Sequence, residues 1–192
     1  GVAILIRKSI KFSAVLLPLH PQSTEALSVD IMINGKTLRI IAIYPPNHNN
    51  SSMDLFECLK SLSFIGIPSI IMGDFNLAHV NWDLHLASDP CCQALLDFSS
   101  FYGLEQYVLQ PTRLDPPNIL DLVFCNSLDI IKDVSIGDKF SDHCKIEIDT
   151  FIEMDTITES KTFLNFSKGD FEMINYLIAR IDWNFRFSTM SV

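Results

Sequence analysis

The sequence predicts an α/β domain, and three observations carry that prediction. Runs that alternate apolar with polar residues flank Asn34-Gly35, and two segments repeat leucine and phenylalanine every three or four residues. An apolar run at Ile70-Ile71-Met72 stops abruptly at Gly73-Asp74-Phe75-Asn76. The 192 residues suffice for one domain with a real core; 48% are hydrophobic and only 19% charged, which excludes a disordered chain. No apolar run approaches the ~18 residues that cross a bilayer.

Taken in order, residues 1–6 and 12–17 read as β-rich runs joined by Arg7-Lys8. The chain opens at Gly1 without a charged leader or cleavage site and reads as a fragment that starts inside a strand. Alternation from Leu27 to Asn34 resumes at Leu38, and Asn-Gly between two such runs is the strongest short hairpin signal. The second arm ends at Tyr44-Pro45-Pro46, where prolines stop the ladder and leave Tyr44 at a strand end. There Tyr44 either packs or lends its phenol to a phosphate. Ser51 and Ser52 can cap a helix carrying Leu55, Phe56, Leu59 and Leu62, which leads through Ile67-Pro68 into the Ile70 strand.

That strand is apolar on both faces, so Asp74 and Asn76 are expected just past its end, on one side of an extended chain. A carboxylate and an amide so placed can activate a water, hold a metal-bound oxygen or orient a phosphate; the same residues also favour turns. The loop 77–88 carries His79, Asn81, Trp82 and His85, with Trp82 expected to anchor it to the core or touch a ligand. Asp89 caps a second helix, with Pro90 in its first turn and its end near Gly103. A short strand over 104–109 and a turn at Gln110-Pro111-Thr112-Arg113 follow. In Ile119-Leu120-Asp121-Leu122-Val123-Phe124 a carboxylate interrupts an apolar strand, which is costly unless it is paired. The candidate partner is His143 in Ser141-Asp142-His143, just before the alternating strand that starts at Cys144. A carboxylate fixes an imidazole's tautomer and stabilises its charged form, and leaves the other ring nitrogen free for a substrate oxygen.

The five cysteines (Cys58, Cys91, Cys92, Cys125 and Cys144) lack Cys-x-x-Cys spacing and read as buried thiols in a reducing compartment, not a zinc site. The net charge of −9 argues against a general nucleic-acid-binding surface. Residues 151–168 are polar and read as a linker, and Asp170 caps a last helix carrying Phe171, Ile174, Leu177 and Ile178.

Ile-Met-Gly-Asp-Phe-Asn, then Gln-Pro-Thr-Arg before Ile-Leu-Asp-Leu-Val-Phe, then Ser-Asp-His, in this order, resembles the endonuclease/exonuclease/phosphatase superfamily. The wording is most similar to the apurinic-type endonuclease domain of non-LTR retrotransposons of the jockey kind. The resemblance implies a four-layer α/β/β/α sandwich of the DNase I-like type over residues 1–150, lacking its N-terminal strands. Residues 151–192 would be a linker and helix leading toward a reverse transcriptase. It also implies Mg²⁺- or Mn²⁺-dependent hydrolysis of phosphodiesters, with DNA as substrate and partner, no membrane, and an intracellular, nuclear parent element. By position, Asp74 would activate the attacking water or protonate the leaving oxygen. Asn76 would orient the phosphate and Tyr44 would touch it. Asp121 would orient His143, His143 would bind the scissile phosphate, and Asp142 would lie in the metal shell. Thr112 and Arg113 would contact DNA.

One departure matters. In the family an asparagine and a glutamate that hold the metal precede the segment matched by Gly1–Ile6, and Glu25 and Glu57 are not in the context to replace them. The expectation is therefore poor metal binding and impaired cleavage by this chain. Two other readings remain: a small-molecule or lipid phosphatase of the same fold, and a decayed domain without catalysis.

Overall fold

Asn34 and Gly35 take φ of 51° and 74°, the two left-handed residues that a tight hairpin turn of type I′ requires. In the computed structural model they join β2 (Glu25–Ile33) to β3 (Lys36–Tyr44) in an antiparallel ladder running from Ile33↔Lys36 to Glu25↔Tyr44. The structure describes residues 1–16, 24–45, 52–61, 66–153 and 169–183, and divides into two compact units, Gly1–Thr156 and Ile157–Val192.

The first unit is built on a six-stranded sheet. β1 (Lys11–Val15) pairs with β2, and β3 is followed by the helix α1 (Ser52–Ser61), which returns the chain to β4 (Ser69–Asp74), parallel to β3. Between β4 and the next helix lies a small hairpin, β5 (Val80–Asn81) with β6 (Leu86–Ala87). The helix α2 (Pro90–Phe101) starts where Asp89 accepts the amides of Cys91 and Cys92 at 2.9 and 3.0 Å. After it come β7 (Glu105–Gln106), the hairpin β8 (Arg113–Leu114) with β9 (Pro117–Asn118), and β10 (Asp121–Cys125). The sheet order is β1-β2-β3-β4-β10-β7. A second sheet pairs β11 (Ile131–Lys139) with β12 (Cys144–Thr150).

Strand alternation divides the core between the two faces. On one, Ile41, Ile43, Ile71, Leu122 and Phe124 pack with Leu55, Leu59, Cys92, Leu95 and Phe98 of the two helices. On the other, Leu38, Ile70, Val123 and Cys125 meet Ile131, Val134, Ile136, Ile146 and Ile148 of the second sheet. Helices, large sheet and second sheet are thus three stacked layers: the fold is an α/β sandwich as expected, but of the four expected layers the outer helices beyond the second sheet are not among the described residues.

Several expectations change in detail. Val2, Ile4 and Ile6 turn partly inward and Ala3 and Leu5 outward, as in a strand, but residues 1–10 join no ladder among the described residues. The strand expected over 104–109 shrinks to two residues, and β11 and the β8–β9 hairpin were not foreseen. Asp121 opens β10 and does not interrupt it. Asp74 is the last residue of β4 and does not lie beyond it. Trp82 takes the anchoring role, with its ring edge-on to Phe124 at 6.0 Å. Leu62 and most of the expected linker lie outside the described residues. In the second unit α3 (Phe171–Ala179) is capped by Asp170, which accepts the amide of Met173 at 2.9 Å.

Candidate active site

The parallel pair β3–β4 aligns Ile43 with Gly73, and Gly73 makes that approach possible. Its φ is 155°, and a β-carbon there would fall 1.8 Å from the carbonyl oxygen of Ile43. The two strands end one residue further on, at Tyr44 and at Asp74.

Asp121 faces Asp74 from β10. The amide of Phe75 donates to the carbonyl of Leu120 at 2.9 Å, so Asp74 and Asp121 form the adjacent pair without mutual backbone bonds, the kind whose side chains approach most closely. The register Glu25↔Tyr44 pairs the first residue of β2 with the last of β3. Glu25 is two strands from Asp74, with its carboxylate 3.1 Å from the amino group of Gly1.

His143 enters from the second sheet. Its Nδ1 lies 2.7 Å from Oδ2 of Asp121, and its Nε2 lies 3.9 Å from Oδ2 of Asp74 and 3.9 Å from Oδ2 of Asp142. Asp74, Asp121 and His143 are each about one-fifth exposed, and Asp142 is two-thirds exposed at the rim (67%). Asn76 does not extend beside Asp74. It adopts φ 53° and folds back, donating its amide to Oδ1 of Asp74 at 3.0 Å and its Nδ2 to Oδ2 at 3.3 Å.

Thr112 is fully buried, which removes it from the expected DNA contacts. Its Oγ1 accepts the amides of Leu120 and Asp121 at 3.2 and 3.1 Å. Its carbonyl accepts the amide of Cys144 at 2.7 Å. One threonine therefore ties the first residue of β10 to the first residue of β12, and so sets Asp121 against His143. In the sequence Thr112 read as part of a turn, and nothing local to it signals this role. Arg113, the next residue, forms an isolated antiparallel bridge with His143 and is partly buried.

The electrostatics follow from this crowding. Burial of Asp74, reinforced by the negative charge of Asp121, raises its carboxyl above the usual range against the opposing hydrogen bond from Asn76. Burial works against the charged form of His143, but the hydrogen bond to Asp121 and the charges of Asp121, Asp74 and Asp142 outweigh it, and its pKa is raised. Asp142 is held low, chiefly by its own backbone amide and then by the positive charges of His143 and Arg113. The result is an imidazole fixed by one carboxylate, with its free nitrogen turned toward two others.

Ligand atoms of Asp74, Asp121 and His143 lie within 4.8 Å of one another. Nδ1 of His143 is already engaged by Asp121, which leaves the carboxylate oxygens of Asp74 and Asp142, each 3.9 Å from Nε2 of His143, as candidate donors. Hard oxygen donors, few in number, fit a divalent cation of the Mg²⁺ or Mn²⁺ type that completes its shell with water and phosphate.

A family model described as endonuclease-reverse transcriptase matches residues 38–147. That stretch contains Tyr44, Asp74, Asn76, Asp121, Asp142 and His143. Among solved structures the chain is similar to the endonuclease domain of TRAS1, a telomere-specific non-LTR retrotransposon. The identity is 18% and the TM-score 0.57, over 72% of this chain and 65% of that one. It is also similar to an endonuclease/exonuclease/phosphatase family protein from Leptotrichia buccalis, at 18% identity and a TM-score of 0.49, over 65% of this chain and 53% of that one. For the catalytic domain of human nocturnin the values are 16% and 0.45, over 74% and 62%. The chain thus spans less than two-thirds of each of these three structures. No curated protein sequence matches it.

Proposed function

Because this chain belongs to the endonuclease-reverse transcriptase family of the endonuclease/exonuclease/phosphatase superfamily, we propose that it is a divalent-metal-dependent endonuclease that nicks duplex DNA. The observation that carries the reading is the 2.7 Å contact of His143 with Asp121, which leaves Nε2 of His143 between Asp74 and Asp142.

In this reading Nε2–H of His143 donates to a non-bridging oxygen of the scissile phosphate. Asp121 keeps the proton on Nδ1 and balances the positive ring. Asp74, whose carboxyl is raised by burial, either takes a proton from the attacking water or delivers one to the leaving oxygen. Asn76 holds Asp74 through its backbone amide and its Nδ2, and the second N–H of that Nδ2 and the phenol of Tyr44 would donate to the phosphate. Asp142, with Asp74, would hold the cation, and Mg²⁺ or Mn²⁺ bound there would supply charge stabilisation to the phosphate. Two carboxylates bind Mg²⁺ weakly, so activity is expected to saturate only at cation concentrations on the order of millimolar.

The parent protein would join this domain through residues 151–192 to a reverse transcriptase and act on nuclear DNA. Among the described residues no helix is long and apolar enough to cross a membrane. The test is conversion of supercoiled plasmid to open circles. The reading expects nicking in Mg²⁺ or Mn²⁺ that is weak for these 192 residues, in which nothing matches the family's metal-holding asparagine and glutamate, that stops with chelator, and that falls by about 10²–10⁴ in His143→Ala. Turnover of an inositol phosphate with no nicking would favour the small-molecule phosphatase. Metal-independent nicking, or a folded His143→Ala that nicks like wild type, would refute it.

A further inference from the structure

At the end of the large sheet away from His143, a proline interrupts a ladder. Pro68 leads into β4, and its carbonyl accepts the amide of Arg39 at 2.9 Å. One step earlier, the parallel register Arg39↔Ser69 would bring the carbonyl of Thr37 to the N–H of residue 68, and a proline has none. Nor does β2 serve Thr37. The two-residue turn Asn34-Gly35 makes Ile33↔Lys36 a hydrogen-bonded pair, so Met32↔Thr37 is the non-bonded pair that follows. The N–H and C=O of Thr37 therefore both point out of the hairpin, as the amide of Arg39 does two residues later. Among the described residues no backbone group meets either of them. Thr37 is exposed, so this short strand edge is open.

Thr37 also lines a cleft of about 400 Å³, whose apolar walls include Leu38, Ile130, Phe151 and Ile152. These walls are in place before anything binds. The amide of Phe151 donates to the carbonyl of Ile130 at 2.9 Å, and Nδ2 of Asn34 donates to the carbonyl of Glu153 at 2.7 Å. The hairpin tip is thereby fastened to the chain that leaves the second sheet. Lys36, Asp129 and Glu153 bring one positive and two negative charges to the cleft. The hydroxyl of Ser127 donates to Asp129 at 2.6 Å and favours its charged form.

We propose that this edge docks an extended peptide segment of a partner protein, with an apolar side chain in the cleft and basic residues beside it. A strand added here pairs with Thr37 through one donor and one acceptor, and its side chains alternate between cleft and solvent. Asp129 and Glu153 outnumber Lys36, which selects a partner of positive charge. Along β3, Thr37 lies seven residues before Tyr44, about 23 Å in extended chain. The surface is thus separate from the proposed cleavage site and does not depend on that reading.

The test is fluorescence anisotropy of the labelled peptide SKVLVKS with the whole 192-residue chain, beside its acidic counterpart SEVLVES. SKVLVKS is expected to bind saturably and at least about fivefold more tightly than SEVLVES at low salt, with the gap closing as salt rises. Thr37→Pro removes only an N–H that the hairpin does not use, and is expected to weaken binding about three- to tenfold. Thr37→Ala keeps the backbone and is expected to bind like wild type. Absence of saturable binding, equal binding of the two peptides, or wild-type affinity in Thr37→Pro would each overturn the proposal. If Thr37→Pro does not fold, hydrogen exchange of the Thr37 amide in wild type decides: slowing by saturating SKVLVKS supports the pairing, and unchanged exchange overturns it. Self-association of the chain that Thr37→Pro abolishes would assign the edge to a second copy and overturn the partner peptide.

Discussion

At the scale of single residues, His143 is a balance between burial, which disfavours its charge, and three carboxylates, which favour it, and the carboxylates win. A histidine whose folded pKa is raised stabilises the protein fully below its ordinary value of about 6.5, and that contribution is lost as pH rises through the folded value. The buried Asp74 is raised as well and acts in the same direction, from the carboxylate range upward. The metal-free protein is therefore expected to lose thermal stability as pH climbs above about 6.5, and His143→Gln is expected to flatten that fall. Melting curves in chelator between pH 5 and 9 check this, and an equal fall in the variant would remove His143 as its cause.

Among the elements, two residues outside the proposed catalytic set, Gly73 and Thr112, position its members. Gly73 lets β3 and β4 close, since a β-carbon would sit 1.8 Å from the carbonyl oxygen of Ile43. Gly73→Ala is expected to cost about 2–3 kcal/mol in urea unfolding and to abolish nicking, because separating the strands moves Asp74 from Tyr44. Thr112 joins β10 to β12 through two amides accepted by one hydroxyl. Thr112→Val keeps the shape but strips both amides of their acceptor, at an expected cost of about 2 kcal/mol, and Thr112→Ser keeps the hydroxyl and is expected to recover most of it. Equal losses in the two variants would mean that packing, not the hydroxyl, is what matters.

At the scale of the whole molecule, what the sequence made legible is whatever a local pattern enforces. The Asn34-Gly35 hairpin, the Asp89 cap and the apolar run ending at Gly73-Asp74 each follow from a few adjacent residues. So did the pairing of Asp121 with His143, because a carboxylate beside an apolar run demands a partner. Less was legible where the cause is remote. In β11, Lys132, Asp133, Asp138 and Lys139 mask a strand that covers the core with only one face. The left-handed turn at Asn76 is local, held by Asp74 two residues back, and is the turn those residues favour, whereas the burial of Thr112 depends on neighbours distant in the chain. The alternation over Gly1–Ile6 promised a ladder that its surroundings do not supply among the described residues.

In the proposed mechanism Asp121 acts through His143 on a DNA phosphate, and a double-mutant cycle of nicking rates is its sharpest check. Single-turnover nicking would be measured for wild type, His143→Ala, Asp121→Ala and the double variant, each confirmed folded. The double variant is expected to be no slower than His143→Ala within about threefold, since residues acting as one unit are lost only once. Losses that multiply would contradict it, by showing that Asp121 and His143 serve separate steps.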